Sequence, residues 1–163
     1  YADRDHLTEL YNRRYFNKKA EKMIADNQKT GAVMSLCLRG IDNFNELNDN
    51  LGHDCGDHIL IEFSKSLSKN IGMFVSSRYG GGEFAILMPK LTAEKAARLA
   101  DDFRDFISSQ PIKYNDSKID ITLSAGVCEI ENGDFSSALT SSYQSLRKAK
   151  KQGHNCVVHT NPT

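Results

Sequence analysis

No net charge, no long apolar run and no paired cysteines are found in this sequence, and each absence excludes a class of protein. The 21 basic and 21 acidic residues cancel, so no overall charge draws the chain toward nucleic acid or a membrane. No apolar run approaches the roughly 20 residues that cross a bilayer, and we find no secretory signal. Internal repeats, low-complexity tracts and linkers are also absent from the sequence.

The four cysteines show no pairing pattern. Cys37, Cys55, Cys128 and Cys156 are not spaced as Cys-x-x-Cys, and no histidine cluster accompanies them. We therefore expect reduced thiols in a cytoplasmic domain rather than disulfides or a zinc site.

The size and composition are those of an ordinary globular domain. A chain of 163 residues is long enough for one domain and too short for two comfortable ones. It begins inside what resembles a helix-entry motif, so we expect residues 1–163 to be one domain of a longer protein.

Hydrophobic periodicity predicts mixed helices and strands. Apolar residues at helical spacing predict helices around 16–24, from about 56 to 67, over 96–107 with Thr92 as N-cap, and over 138–149 before Gly153. Strands are predicted at 32–38, at 74–79 and 83–88 as a hairpin, at 119–125 and at 157–158. This order indicates an α/β or α+β domain with one layer of sheet covered by helices.

Several motifs in order carry a resemblance to a known family. The hairpin Arg78-Tyr79-Gly80-Gly81-Gly82-Glu83-Phe84 resembles the signature turn of GGDEF domains, the diguanylate cyclase family. The other matching segments are 5–16, 40–49, 52–57, 122–127 and 149–155. The resemblance covers nearly the whole chain and implies an α+β fold, with a central, mostly antiparallel, five-stranded sheet flanked by helices.

Two glycines stand where the GGDEF family has the carboxylates that bind its catalytic metal. In GGDEF domains two GTP molecules condense to cyclic di-GMP, and metal ions held by carboxylates neutralise the triphosphates. The resemblance matches those carboxylate positions to Gly40 and Gly82, and glycine has no side-chain oxygen for magnesium. Glu83 and Asp42 survive nearby, so a substitute metal site built from them is the competing interpretation.

The same resemblance implies that more of the nucleotide-binding residues than of the metal ligands are retained. Asn48 and Asp57 match residues that hydrogen-bond guanine, and the alternatives are a helix-terminal residue and an N-cap. Gly80 and Gly81 either admit phosphates to the backbone or simply form the hairpin turn. Lys150 matches a phosphate-contacting lysine.

Other positions depart from the family pattern. His154 stands where the family has an arginine, and the basic run 147–151 is interpreted as a solvated helix end. Ile71 and Phe74 replace the charged residues of the product-inhibition site. Arg39 replaces an apolar strand residue, and strand alternation directs it away from the Gly40 face.

The sequence thus predicts a GGDEF domain without catalytic metal ligands, acting as a regulatory or interaction module in bacterial cyclic di-GMP signalling. The alternatives are a weak diguanylate cyclase and a sensor that binds GTP without turnover. We expect weak GTP binding, contacts with neighbouring domains or protein partners, and a possible homodimer. No cofactor, no nucleic acid and no membrane insertion are expected, and magnesium is expected only if an unrecognised metal site persists.

Overall fold

Five strands form the central sheet of the protein in the order β2-β3-β1-β6-β7. The structure is a computed structural model that describes residues 2–160. Within that range the helices are α1 (Arg13–Gln28), α2 (Phe44–Leu51), α3 (His53–Ile71), α4 (Ala93–Ser108) and α5 (Phe135–Lys151). The strands are β1 (Met34–Ile41), β2 (Val75–Arg78), β3 (Glu83–Pro89), β4 (Ile112–Tyr114), β5 (Ser117–Ile119), β6 (Leu123–Glu129) and β7 (Val157–Thr160).

The sheet is mostly antiparallel, as predicted. β1 pairs with β3 and β6, and β2 pairs with β3, all in antiparallel register. Only β6 and β7 run parallel within the described sheet. All eight residues of β1 are buried, because helices cover both faces of this central strand. The α+β fold class and the five-stranded sheet are confirmed.

Two hydrophobic clusters hold the helices on opposite faces of the sheet. One cluster joins α3 and α4 to the odd-numbered residues of β1, and its rings of Phe63 and Phe84 lie 4.6 Å apart between centroids. The other joins α1 and α5 to even-numbered residues such as Leu36 and Leu38. Burying an aromatic side chain contributes roughly 2–3 kcal/mol, so these clusters fix where β1 ends.

Local sequence signals explain most helix boundaries. The Asn12 side chain caps α1 by accepting a hydrogen bond from the Tyr15 N–H at 2.9 Å. Thr92 caps α4 as predicted, accepting from the Lys95 N–H at 3.2 Å. Gly153, beyond the end of α5, has a φ of 113°, a conformation that glycine adopts without strain.

Three predicted boundaries were wrong. The alternating segment 119–125 is not one strand: Ile119 ends β5 in a separate two-stranded sheet, and Leu123 begins β6. β1 continues past Leu38 to Ile41, and α3 begins at His53 rather than near Gly56.

Within residues 2–160, no helix is both long and apolar enough to cross a membrane.

Candidate functional site

A cleft of about 340 Å³ opens where β1 ends. Its walls are the strand end at 40–41, the start of α2 at 43–46, the hairpin at 81–83, and Lys150 and His154 beyond them. Six of the residues singled out from the sequence therefore meet here: Gly40, Gly81, Gly82, Glu83, Lys150 and His154. Whether any of them binds a ligand stays a prediction.

Gly40 and Gly82 lie on adjacent strand segments. Gly40 is the register partner of Glu83, and the Gly82 carbonyl accepts a hydrogen bond from the Ile41 N–H at 2.9 Å. A Cβ atom on Gly40 would meet only ordinary contacts, the nearest at 3.8 Å. A Cβ atom on Gly82 would lie 2.8 Å from Cβ and Cγ of Phe44. The aromatic side chain thus occupies the space in which a side chain at position 82 would begin.

The Glu83 carboxylate is paired with a lysine. Its Oε2 lies 3.7 Å from Lys150 Nζ, and both side chains are partly exposed. The two residues therefore compensate each other's charge in the cleft. A cation brought in to bind Glu83 would have to compete with the Lys150 ammonium group.

Asp42 shares the Gly40 face of the sheet, but its carboxylate is fully engaged. It accepts hydrogen bonds from the Thr122 and Ser124 hydroxyls, both at 2.6 Å, and from the Asn155 N–H at 2.9 Å. The side chain is buried, with 5% of its surface exposed. These three donors point the carboxylate toward β6 and the segment before β7, so it is committed to holding the fold together.

The donor set of the cleft does not fit a magnesium ion. Magnesium binds through one or two carboxylates in tight octahedral geometry. Two carboxylates line the cleft: Glu83 is ion-paired with Lys150, and Glu46 lies in the first turn of α2. Asp42 is not part of the lining and is hydrogen-bonded elsewhere. Among residues 2–160 no group of three or more His, Cys, Asp or Glu side chains is arranged to hold a metal ion.

The start of α2 is a feature that the sequence patterns did not reveal. Asn43 precedes the helix with φ 55° and ψ 33°, and no side chain caps the helix. The first N–H groups of a helix have no intrahelical acceptor and carry a partial positive charge. Because this end of α2 lines the cleft, it offers donors to an anion beside Lys150 and His154.

The two residues predicted to bind guanine lie outside this cleft but near each other. The Asn48 amide Nδ2 donates a hydrogen bond to the His53 ring Nδ1 at 2.9 Å. Its side chain also contacts Gly56, the residue before Asp57, whose own side chain is exposed on α3. Asn48 and Asp57 therefore flank the α2–α3 junction, next to the helix that forms one wall of the cleft.

The hairpin glycines have ordinary backbone angles. Among the described glycines the positive φ values belong to Gly31, Gly52, Gly133 and Gly153, and not to Gly80, Gly81 or Gly82. The turn closes through the Glu83 carbonyl, which accepts from the Tyr79 and Gly80 N–H groups at 2.7 and 3.1 Å. Other residue types can therefore adopt this turn where space allows.

Arg39 lies on the face of the sheet opposite the cleft, as alternation predicted. Its Nη2 donates to the Ala100 carbonyl on α4 at 2.9 Å, and its guanidinium lies 5.1 Å from the Phe103 ring centroid. Nε and Nη1 are buried without an acceptor among residues 2–160. Burial lowers the pKa of this arginine below its ordinary value.

Comparison with known proteins gives consistent results. Residues 2–156 match the family described as diguanylate cyclase, GGDEF domain. The chain is 34% identical over 159 residues to the response regulator PleD of Caulobacter vibrioides, covering 94% of this chain and 35% of PleD. It is 30% identical over 154 residues to the diguanylate cyclase DgcP of Pseudomonas aeruginosa, covering 93% of this chain and 23% of DgcP.

A solved structure extends the likeness to the fold. The GGDEF domain of DgcB from Caulobacter crescentus, in complex with c-di-GMP, is 29% identical with a TM-score of 0.90. That match covers 98% of this chain and 93% of the DgcB chain. By contrast, this chain spans about a third or less of the lengths of PleD and DgcP.

Proposed function

The chain belongs to the GGDEF family of diguanylate cyclase domains, and on this basis we propose that it is a regulatory or interaction module of cyclic di-GMP signalling that makes no cyclic di-GMP itself. We further propose that residues 1–163 are one cytoplasmic domain of a longer protein. The lengths of the relatives support the second proposal, because each is far longer than this chain. The four free cysteines support the location.

The state of the carboxylates in the cleft carries the proposal of inactivity. Gly40 and Gly82 supply none, Asp42 is bound by three donors, and Glu83 is paired with Lys150. Condensing two triphosphates without a metal removes a source of several kcal/mol of transition-state stabilisation. Each 1.36 kcal/mol corresponds to about a tenfold change in rate, so we expect turnover to fall by orders of magnitude.

A GTP sensor without turnover is the second candidate function. The observation that favours it is the uncapped start of α2, whose free N–H groups line the cleft beside Lys150 and can donate to a phosphate. Asn48 and Asp57 would supply the base contacts beyond the α2–α3 junction. A weak cyclase is less well supported, because both substitute carboxylates would first have to leave their present partners.

A turnover assay tests the proposal. The pure domain is incubated with GTP and either magnesium or manganese, and the products are separated by chromatography. The diguanylate cyclase DgcP serves as the active control. We expect no cyclic di-GMP from this chain. Clear turnover that disappears in Glu83→Ala would overturn the proposal and establish the weak cyclase.

A further inference from the structure

Charge is unevenly distributed over this neutral chain. Helices α1 and α5 together carry nine basic and two acidic residues, a net charge of +7. Because the whole chain has 21 residues of each sign, the remainder carries a net charge of −7. The neutral total thus hides a strong separation of charge between one helical layer and the rest of the molecule.

The exposed sides of α1 and α5 form one surface. Both helices pack their buried residues into the same hydrophobic cluster, on the same face of the sheet. Their exposed sides therefore point in the same direction. Arg13 is stacked on the Tyr79 ring. The other exposed basic residues of the two helices, which we call the basic face, are Arg14, Lys18, Lys22, Arg147, Lys148 and Lys151. Among the salt bridges formed within residues 2–160, none includes a member of the basic face.

Helix stability accounts for the basic residues at the end of α5 but not for those on α1. Basic residues in the last turn of α5 are favoured by the helix dipole. On α1 the arrangement is the reverse, because Arg14 lies in the first turn, where no acidic residue is present. Lys18 and Lys22 continue the same stripe one and two turns further on. A function outside the domain itself is therefore the better explanation for the stripe on α1.

The side chains around the basic face indicate which anion it fits. The exposed large apolar side chains of the described chain are Leu51, Met73, Leu99 and Phe106, and all lie outside α1 and α5. The aromatic residues of the two helices are buried or half-buried, so none is available for stacking on bases. Beside the charges α5 exposes short side chains such as Ser137 and Thr140, which let an extended surface approach closely.

We propose that the basic face docks the domain on an anionic lipid surface. The two helices are about 24–26 Å long, at 1.5 Å per residue, and together they carry the six positive charges of the basic face. Charges spread over such an extended surface can contact several phosphate headgroups of a bilayer at once. Clusters of four to eight lysines and arginines beside a membrane bind anionic lipids in this way. The binding is electrostatic and peripheral, since no apolar anchor accompanies the charges on the described parts of these helices.

Vesicle sedimentation tests the proposal. Zwitterionic vesicles and vesicles with about one-third anionic phosphatidylglycerol are compared at about 20 mM and about 500 mM salt, on either side of the range in which screening becomes strong. We expect the anionic vesicles to bind at least about tenfold more protein at low salt, and the difference to vanish at high salt.

Matched variants locate the contact. Replacing Lys18, Lys22, Lys148 and Lys151 by Glu should abolish binding to the anionic vesicles, and replacing the same four by Gln should reduce it. The control replaces Lys65, Lys69, Lys95 and Arg98 by Glu on α3 and α4, which cover the opposite face of the sheet. It makes the same change in net charge and should retain most of the binding. Thermal melts identify any variant that fails to fold, and the Gln variant then decides the outcome.

Three results would overturn the proposal. The first is no preference for anionic vesicles at low salt. The second is an equal loss of binding in the basic-face and control variants. The third is binding to a DNA duplex without binding to vesicles, which would assign the basic face to nucleic acid instead.

Discussion

Phe44 covers the α-carbon of Gly82, so the two glycines at the end of β1 and in the hairpin are not equivalent. A Cβ atom on Gly82 would lie 2.8 Å from Cβ and Cγ of Phe44, which is too close. A Cβ atom on Gly40 would have its nearest neighbours at 3.8 Å, an ordinary van der Waals contact. The contact involves the Phe44 Cβ, which rotation of the ring does not move. Any carboxylate added at position 82 must therefore shift the start of α2.

The first prediction follows from this contact. Gly40→Asp should leave the free energy of unfolding nearly unchanged, whereas Gly82→Asp should lower it by about 1–3 kcal/mol through overpacking. Adding Phe44→Ala to Gly82→Asp should remove the steric part of that cost. Urea denaturation of the variants measures these differences. Equal effects at positions 40 and 82 would refute the contact.

Restoring both carboxylates should recover a shared metal site. Calorimetry should show magnesium-dependent GTP binding in Gly40→Asp/Gly82→Asp that exceeds the sum of the single variants, because two ligands of one cation act together. A folded double variant without this gain would contradict the shared site.

Nucleotide binding by the native domain should be weak and independent of metal. Without a metal counter-ion, Lys150 and backbone N–H groups must meet the triphosphate alone. We expect a GTP dissociation constant of about 0.2–1 mM, or roughly −4 to −5 kcal/mol, unchanged by EDTA and nearly equal for GDP. Titrations with GTP, GDP and ATP, repeated on Asp57→Ala, test this. Tight magnesium-dependent binding would show that a metal site persists, and no binding would leave the interaction role alone.

Arg39 should lower the free energy of unfolding of the protein. Its guanidinium is buried with two nitrogens unpaired among the described residues, and a buried polar group without a partner costs about 1–3 kcal/mol, which an apolar side chain of similar volume avoids. Arg39→Met should therefore raise the urea midpoint without changing the slope of the transition. Arg39→Lys keeps a buried charge and serves as the control, since it should bring no gain.

Asp42 should act as a structural residue. Asp42→Ala removes the acceptor of three hydrogen bonds and leaves buried donors unpaired, so we expect a loss of about 2–4 kcal/mol. Asp42→Asn keeps the shape and should cost less. Chemical denaturation measures both. A loss below about 0.5 kcal/mol, typical of an unconstrained surface residue, would instead leave the carboxylate free for a metal.

Asp5 should make the fold sensitive to acid. Burial raises the pKa of this carboxyl, but hydrogen bonds from Thr8 and the charge of Arg78 outweigh burial and hold the pKa below its ordinary value of 3.8. A carboxyl with a depressed folded pKa stabilises the protein above its unfolded pKa, and this is lost as the pH falls through the folded value. Stability should therefore decline from pH 3.8 downward, and Asp5→Asn should flatten this part of the curve measured by thermal melts.

The sequence predicted best where the signal is local. The N-cap of α4 at Thr92 and the end of α5 near Gly153 depend on residues within one or two turns, and both predictions were confirmed. The direction of Arg39, away from the cleft, followed from strand alternation, which also needs only neighbours in sequence. The five-stranded, mostly antiparallel sheet was implied by the resemblance to GGDEF domains and not by periodicity.

The details of the cleft depend on contacts that are distant in sequence. Asp42 was a candidate metal ligand until its partners Thr122, Ser124 and Asn155 were seen, and no pattern near residue 42 indicates them. The short helix α2 has only eight residues, and its three apolar residues at helical spacing, Phe44, Leu47 and Leu51, are too few for the pattern alone to separate a helix from a loop. The break between β5 and β6 was missed because alternation continues across it.

The central position of β1 determines when a growing chain can complete its fold. β1 emerges among the first strands, yet its two neighbours are β3 and β6, and its Asp42 carboxylate binds the N–H of Asn155, 113 residues later. Contacts this distant in sequence slow folding, because a long loop must close before they form. A nascent chain interrupted before Asn155 would expose the edge of β6 that pairs with β7 and leave Asp42 one donor short. The sheet is therefore completed only after its last strand is synthesised, and removing the residues from Asn155 onward would also remove a hydrogen bond at the end of its central strand.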